Sequence, residues 1–442
     1  MYFTFQEIAE NLWGFPVLIG MLGDSAFVTV YLNFVQISYF KDAVRSVFSP
    51  SASSQSPKSE SLTSLQAFIN TLGGNIGNGA LAGIPAAIAM GGPGAIFWLL
   101  LMATFAGALR FAEVYLGISV IGKHRLGSAR GGPIVYLSLL PGGYYLSYAF
   151  GILCLTYAFT SGSLVQCNAV GLAVKKAWGI PTMWTALVTL IFVLYVLFGG
   201  SQRIVQVLDK IVPLKVFLLL ISVAVVLTYH YAMIPHALYL ICASAFTGKA
   251  LLGGGIGYSV QRAMTVGFQR GIFAHEAGLG TAAVAYGNTS GTHPAKDAIM
   301  STLGVFITVH VICFLVAMCV LVTGVWQNGE SSSALIISAY QTVFGRFAGI
   351  IITFLTINFG ASVLISYAYI GRQCWEFLTN KRYILLFSLL YALGASLGTM
   401  MDVSLALNLS DIVNAALFVV NMLGVLWFLP VIKKGLLAYK RG

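Results

Sequence analysis

Two glycine-rich runs hold the residues of this chain best suited to do chemistry. They are Gly73-Gly74-Asn75-Ile76-Gly77-Asn78-Gly79 and Gly253-Gly254-Gly255-Ile256-Gly257, each inside a long apolar stretch. A helix in lipid satisfies its own backbone, and unwinding one leaves N–H and C=O groups that cost several kcal/mol each unless something pairs with them. Free N–H groups at the restarted helix suit a carboxylate. Free carbonyls at the other end of the break suit an ammonium or a small cation. Glycine accepts the unusual dihedrals and lets a ligand approach the backbone. An amino acid and a cation are therefore the expected guests, with Gly77, Asn78 and Gly79 of the first run and Gly253 and Gly254 of the second around the substrate. The competing reading is close helix packing through small residues.

The elements that must carry these runs are membrane spans. Of 442 residues, 58% are hydrophobic and only 8% charged, against about 25% charged in a soluble domain. A span takes about 20 apolar residues. Eleven spans are predicted, over 12–37, 64–91, 94–121, 145–174, 182–200, 209–230, 236–268, 298–323, 346–371, 383–400 and 407–432. A short helix on the outer surface is predicted at 333–343, and GGPG at 91–94 and GGP at 131–133 read as turns. Each glycine run sits in the span that opens a set of five, and four of the five residues 73–77 match 253–257 at an offset of 180. Five is odd, so the second set runs through the membrane with opposite polarity, the signature of an inverted repeat with its site at the midplane. The fold class is all-α integral membrane. The units are an N-terminal span and loop (1–63), a first five-helix repeat (64–230), a second inverted repeat (236–432) and a basic tail (433–442).

With the N-terminus outside and the C-terminus cytoplasmic, 18 of the 24 basic residues fall on the inner side and three on the outer, while Arg110, Lys215 and Lys249 lie within spans. The positive-inside rule selects this orientation. The net charge of +11 is then topological and does not point to nucleic acid. No cleavable signal segment is apparent before the first apolar run, which Glu7 and Glu10 precede. The six cysteines lack metal-ligand spacing and read as small buried hydrophobes. His275-Glu276 is not a zinc motif, because Leu279 stands where the second histidine would. Glu276 is expected to meet a helix terminus or a basic side chain in a cytoplasmic segment.

Four stretches resemble the alanine/glycine:cation symporter family. They are AGIPAAIAM and GGPGAIFW (82–98) with Phe111-Ala112-Glu113 beyond, RGIFAHEAGLGTA (270–282) leading to His293-Pro294, Leu164-Val165-Gln166-Cys167-Asn168, and Tyr369-Ile370-Gly371-Arg372-Gln373-Cys374. The similarity runs over about 12–432. It implies a five-plus-five inverted repeat with one extra N-terminal span, in agreement with the hydropathy count. It also implies symport of small neutral amino acids, such as alanine, glycine, serine or D-alanine, with sodium across a bacterial inner membrane. Departures lie at the site. Gly77-Asn78-Gly79-Ala80-Leu81-Ala82-Gly83 stands where the family usually has Gly-Thr-Gly-Asn-Ile-Ala-Gly. Ser362-Val363 stands for a usual pair of hydroxyl residues, Gly162-Ser163 for Gly-Asn, and Lys249 for a glutamine.

By the same resemblance Gln166 contacts substrate, although a polar amide can also serve as helix–helix glue. Phe159, seven residues earlier and two turns away on the same face, is placed to close over the ligand. By fold analogy a sodium ion meets the carbonyls of Gly73, Ile76 and Phe359 and the hydroxyl of Ser362, with Asn75 or Asn78 as a further donor. A second cation position beside the substrate lacks its side-chain oxygen, because Ala80 occupies it. One sodium per cycle is the expectation, and a proton is the alternative.

The remaining charged residues have plainer readings. Glu113 pairs with Arg110, three residues earlier on the same face, unless it serves as a proton group. Lys215 and Asp24 snorkel or pair near span ends. His310 packs between helices. A channel would want a continuous pore, and an intramembrane enzyme a convergent nucleophile or metal set, which the sequence does not show. No cofactor is expected, and no GxxxxGK[ST] loop calls for ATP. A non-transporting sensor on the same fold is the remaining alternative.

Overall fold

The computed structural model describes residues 15–48, 62–246, 260–289, 293–330, 332–401 and 403–441. Gly253, Gly254 and Lys249 lie outside the described residues. The described chain is helical almost throughout, and six helical stretches are long and apolar enough to cross a membrane: Gly94–Ser119, Gly143–Trp178, Gly200–Tyr229, Pro294–Val322, Ser332–Leu378 and Leu407–Trp427. Shorter apolar helices stand at Leu18–Tyr31, Thr182–Phe198, Tyr231–Phe246 and Ile384–Gly398. This is an all-α, multi-span membrane protein.

The first glycine run divides its span as the residue pattern predicts. The helix Ser64–Asn75 opens with a capping box, in which the Thr63 hydroxyl accepts from the Gln66 N–H and the Gln66 side chain accepts from the Thr63 N–H. It stops at Asn75, and Ile76 leaves helical geometry at φ −86°, ψ 82°. The chain restarts through a wide π-type turn at Gly79–Gly83 and continues as Ile84–Gly91. A helix stands at Ser332–Phe344, over the predicted 333–343, and it packs against this restarted half with Leu335, Ile336, Ala339 and Tyr340 buried.

Gly94–Ser119 is the central pillar, buried along most of its length and packed against Val260–His275 and Pro294–Val305. Ala348–Leu378 crosses beside Ser64–Asn75, Gly143–Phe159 and Gly200–Tyr229. Two further π-type turns interrupt long spans, at Thr160–Leu164 and Phe306–Cys313. Neither has a glycine-run signature in the sequence. At the first, Gly162 is required by contact, because a Cβ there would run into the Tyr367 side chain. Five of the six cysteines are buried, and Cys242 is exposed.

Candidate substrate and cation site

The first break opens onto a cavity of about 90 Å³. Gly74, Asn75, Gly77, Gly79, Ala80 and Gly83 of the broken span line one side. Ser161, Val165 and Gln166 come from the helix interrupted at Thr160–Leu164, and Val363 and Tyr367 from Ala348–Leu378. Arg270, Phe273, Ala274 and Glu276 line it from the chain end of Val260–His275, and Leu407 and Ser410 from Val403–Trp427. The two interrupted helices meet here for a physical reason. Each has backbone polar groups that its own helix no longer satisfies, and the Gln166 amide serves both. Its Oε1 accepts from the Asn78 N–H at 3.1 Å, and its Nε2 donates to the Ser161 carbonyl at 3.2 Å.

The glycines at the break have different reasons for being there. A Cβ on Gly77 would lie 2.7 Å from Val363 Cγ2 and 3.3 Å from Gln166 Oε1, so close packing requires it. A Cβ on Gly79 would meet nothing within 4 Å, and Gly79 is not among the positive-φ residues. The backbone shape does not demand glycine at 79; open space stands beside it. Asn78 is buried, and neither atom of its side-chain amide has a partner. Its Nδ2 lies toward Gly360, and the residue is not in the cavity lining. Asn75 donates its Nδ2 to the His275 carbonyl at 3.1 Å.

Phe159 is not at the cavity. Its ring packs on Tyr391 at 5.3 Å and Phe387 at 6.1 Å, toward the helix Ile384–Gly398. The two-turn spacing to Gln166 assumes an unbroken α-helix, and the π-type turn at Thr160–Leu164 lies between them. The wider turn rotates everything before it about the helix axis.

Three of the four groups expected around a sodium ion converge, but on a side chain. Lys215 Nζ donates to the Gly73 carbonyl at 3.1 Å, the Ile76 carbonyl at 2.5 Å and Ser362 Oγ at 2.5 Å. The Phe359 carbonyl accepts from Ser362 Oγ at 2.9 Å, and the Phe359 ring centroid lies 5.4 Å from the ammonium. Lys215 is fully buried, so it does not snorkel.

Sequence reasoning also misplaced Glu276. It is buried, at φ +51°, and its carboxylate accepts from Tyr157 at 3.2 Å, Thr281 at 3.1 Å and Tyr367. A non-glycine residue in the left-handed region marks a place worth a functional hypothesis. Arg270 lines the same cavity and is attracted to Asp411. The cavity wall thus carries one basic and one acidic side chain. The available signal was the pair of opposite charges six residues apart in a segment otherwise apolar and small, RGIFAHE.

Behind the cavity, Arg110 and Glu113 form the expected ion pair at 3.2 Å. Glu113 Oε2 also accepts from the N–H groups of Gly278 and Gly280, both at 3.0 Å, and from Asn421 Nδ2 at 3.2 Å. Arg110 donates to the His275 carbonyl. The pair therefore holds the turn that presents Glu276. His310 shares a hydrogen bond with Thr104 Oγ1 at 3.0 Å and stacks on Phe306, in keeping with a packing role.

Known proteins resemble this chain over nearly all of its length. An uncharacterized transporter of Haemophilus influenzae is 30% identical over 430 residues, covering 97% of this chain and 93% of that protein. A sodium/alanine symporter of Methanococcus maripaludis is 31% identical over 433 residues, covering 95% and 93%. Among solved structures, a manganese transporter of Eremococcus coleocola superposes with a TM-score of 0.54 at 14% identity, over 82% of this chain and 79% of that one, a likeness of fold alone. The pattern of the sodium:alanine symporter family matches residues 1–442. The chain belongs to that family, whose members are membrane transporters working by secondary, cation-coupled transport and not enzymes.

Proposed function

We propose that this protein carries small neutral amino acids, of the alanine, glycine and serine class, across the membrane by alternating access, coupled to a cation gradient. The observation that carries the reading is the cavity at the first break. At about 90 Å³ it holds several water-sized groups and no large side chain. Its wall offers opposite charges, Arg270 and Glu276, to the two ends of a zwitterion. Gly77, Gly79 and Gln166 line the same cavity. In this reading the ligand's main chain lies between the charged wall and the break, and its side chain faces the space beside Gly79. The fold in this reading is a five-plus-five inverted repeat. Eleven spans place the N-terminus outside and the C-terminus in the cytoplasm. The relatives named for sodium and alanine support both the substrate class and a cationic partner.

The test is competition for uptake of labelled alanine in proteoliposomes under separately imposed sodium and proton gradients. Excess glycine or serine should suppress uptake, and leucine or tryptophan should not. Gly79→Val should fold, since no protein atom meets its Cβ, yet abolish uptake. Equal competition by leucine, or normal uptake by Gly79→Val, would show that the ligand does not sit here.

A further inference from the structure

We propose that Lys215 is the resident cation of this protein: its ammonium fills the position between the first break and Ala348–Leu378 where a sodium ion would sit, and the chain binds no sodium there.

The placement is the first ground. Lys215 lies midway along the helix Gly200–Tyr229, about 20 Å of helix from either end at 1.5 Å per residue. The side chain is fully buried and its ammonium is bonded to groups of two other helices, so it is not turned toward an interface. The second ground is the match of donors to acceptors. An ammonium carries three N–H donors. Lys215 has three acceptors, the Gly73 and Ile76 carbonyls and Ser362 Oγ, so each donor is used. These oxygens are fewer than a metal ion ordinarily gathers. The neighbouring Val363 offers none.

The third ground is charge. Gly73 and Ile76 stand at the C-terminal end of the helix Ser64–Asn75, where unpaired carbonyls and the helix dipole favour a cation. Among the described residues no carboxylate pairs with Lys215. A buried charge without a counter-ion is costly, and such a residue inside a membrane protein is retained for what it does. Here it supplies the positive charge that the carbonyls require. Ammonium and metal ion exclude each other, because they would share the same oxygens and the same sign.

A tethered cation cannot leave with the substrate. The link that a passing ion would make between the broken span and Ala348–Leu378 is instead made by a third helix. That consequence for transport rests on the amino-acid carrier reading above; the occupancy of the site does not.

The experiment measures thermal unfolding of the purified full chain in detergent, without amino acid, as sodium replaces choline at constant ionic strength. Wild type and Ser362→Ala should give the same sodium response. Lys215→Ala should gain a saturable upward shift of about 2 °C or more that wild type lacks. The double variant Lys215→Ala/Ser362→Ala should lose that gain. A sodium-dependent shift in wild type that Ser362→Ala removes would overturn the proposal. So would a folded Lys215→Ala with no added response, since the vacated oxygens would then not form a cation site. If Lys215→Ala does not fold, wild type and Ser362→Ala still decide the matter. Alanine competition is scored separately, so a failure of the carrier reading shows in uptake and not in this measurement.

Discussion

Among the described residues, the side chains of Arg110 and Lys215 are fully buried, and they are held in opposite ways. Arg110 has a carboxylate three residues along its own helix, at 3.2 Å, and donates to the His275 carbonyl. Lys215 has two backbone carbonyls and a hydroxyl from other helices. The first charge is neutralised, and its partner goes on to bind the N–H groups of Gly278 and Gly280. That arrangement builds a turn. The second charge is solvated by oxygens but not neutralised, as an ion would be in a binding site. A buried charge with its counter-ion reads as architecture; one without reads as function.

The largest effect is expected from breaking the neutral pair. Glu113→Ala leaves the Arg110 guanidinium buried without its carboxylate and frees two N–H groups in the 278–280 turn. Removing one partner of a buried pair costs about 3–5 kcal/mol. The variant should give little folded protein or a strongly lowered melting temperature in detergent. Removing both charges with Arg110→Met/Glu113→Leu should recover part of that loss. A Glu113→Ala protein as stable as wild type would mean that the pair is not what holds the turn.

Lys215→Met should behave differently, and less drastically. The methionine removes a charge that has no counter-ion to strand. It leaves the Ile76 carbonyl without its donor, at about 1–3 kcal/mol for an unsatisfied buried group, while the Gly73 carbonyl keeps the Ser362 hydroxyl at 3.2 Å. Against this, the desolvation of an unpaired ammonium disappears. The melting temperature should therefore fall much less than in Glu113→Ala, while alanine uptake is lost. A collapse as deep as that of Glu113→Ala would make Lys215 a structural residue and erase the contrast between the two sites.

The sequence carried one of these sites and not the other, for reasons of distance along the chain. Arg110 and Glu113 are three residues apart, and helical spacing alone brings them together. The first break was legible because glycine density reports backbone departure locally, and Asn75–Gly79 is where the helix stops and restarts. Lys215 meets Gly73 and Ser362 across 142 and 147 residues. Hydropathy locates its span but not the direction of one side chain on it, so the default of snorkelling prevailed. The Gly73 and Ile76 carbonyls and the Ser362 hydroxyl come together across the fold, yet what they surround could not be read from their own helices. Phe159 was misplaced because the turn at Thr160–Leu164 has no strong local signal, and one wide turn spoils a face assignment made by counting sevens. Two charged residues in one segment resemble a loop, and nothing local shows that Tyr157 and Tyr367 solvate Glu276 inside the protein.

The smallest effect comes from a third ion pair that calibrates the other two. Arg372 Nε and Glu376 Oε1 lie 2.8 Å apart, one turn along Ala348–Leu378, with side chains 19% and 14% exposed. The pair is partly wetted, and its geometry belongs to a single helix, so either side chain can turn to water when the other is lost. Pairs at this spacing on exposed helices contribute about 0.3–0.5 kcal/mol, and exposed pairs in general up to about 1. Arg372→Gln keeps a hydrogen-bond donor and removes the charge, so it should move the melting temperature by a degree or two at most. High salt should narrow even that difference, because screening acts on wetted charges. The Glu113→Ala loss should persist in the same salt, since ions do not reach Arg110. If Arg372→Gln instead destabilised the protein as much as Glu113→Ala does, burial would not be what separates these pairs, and the argument that sets Lys215 apart from Arg110 would lose its basis.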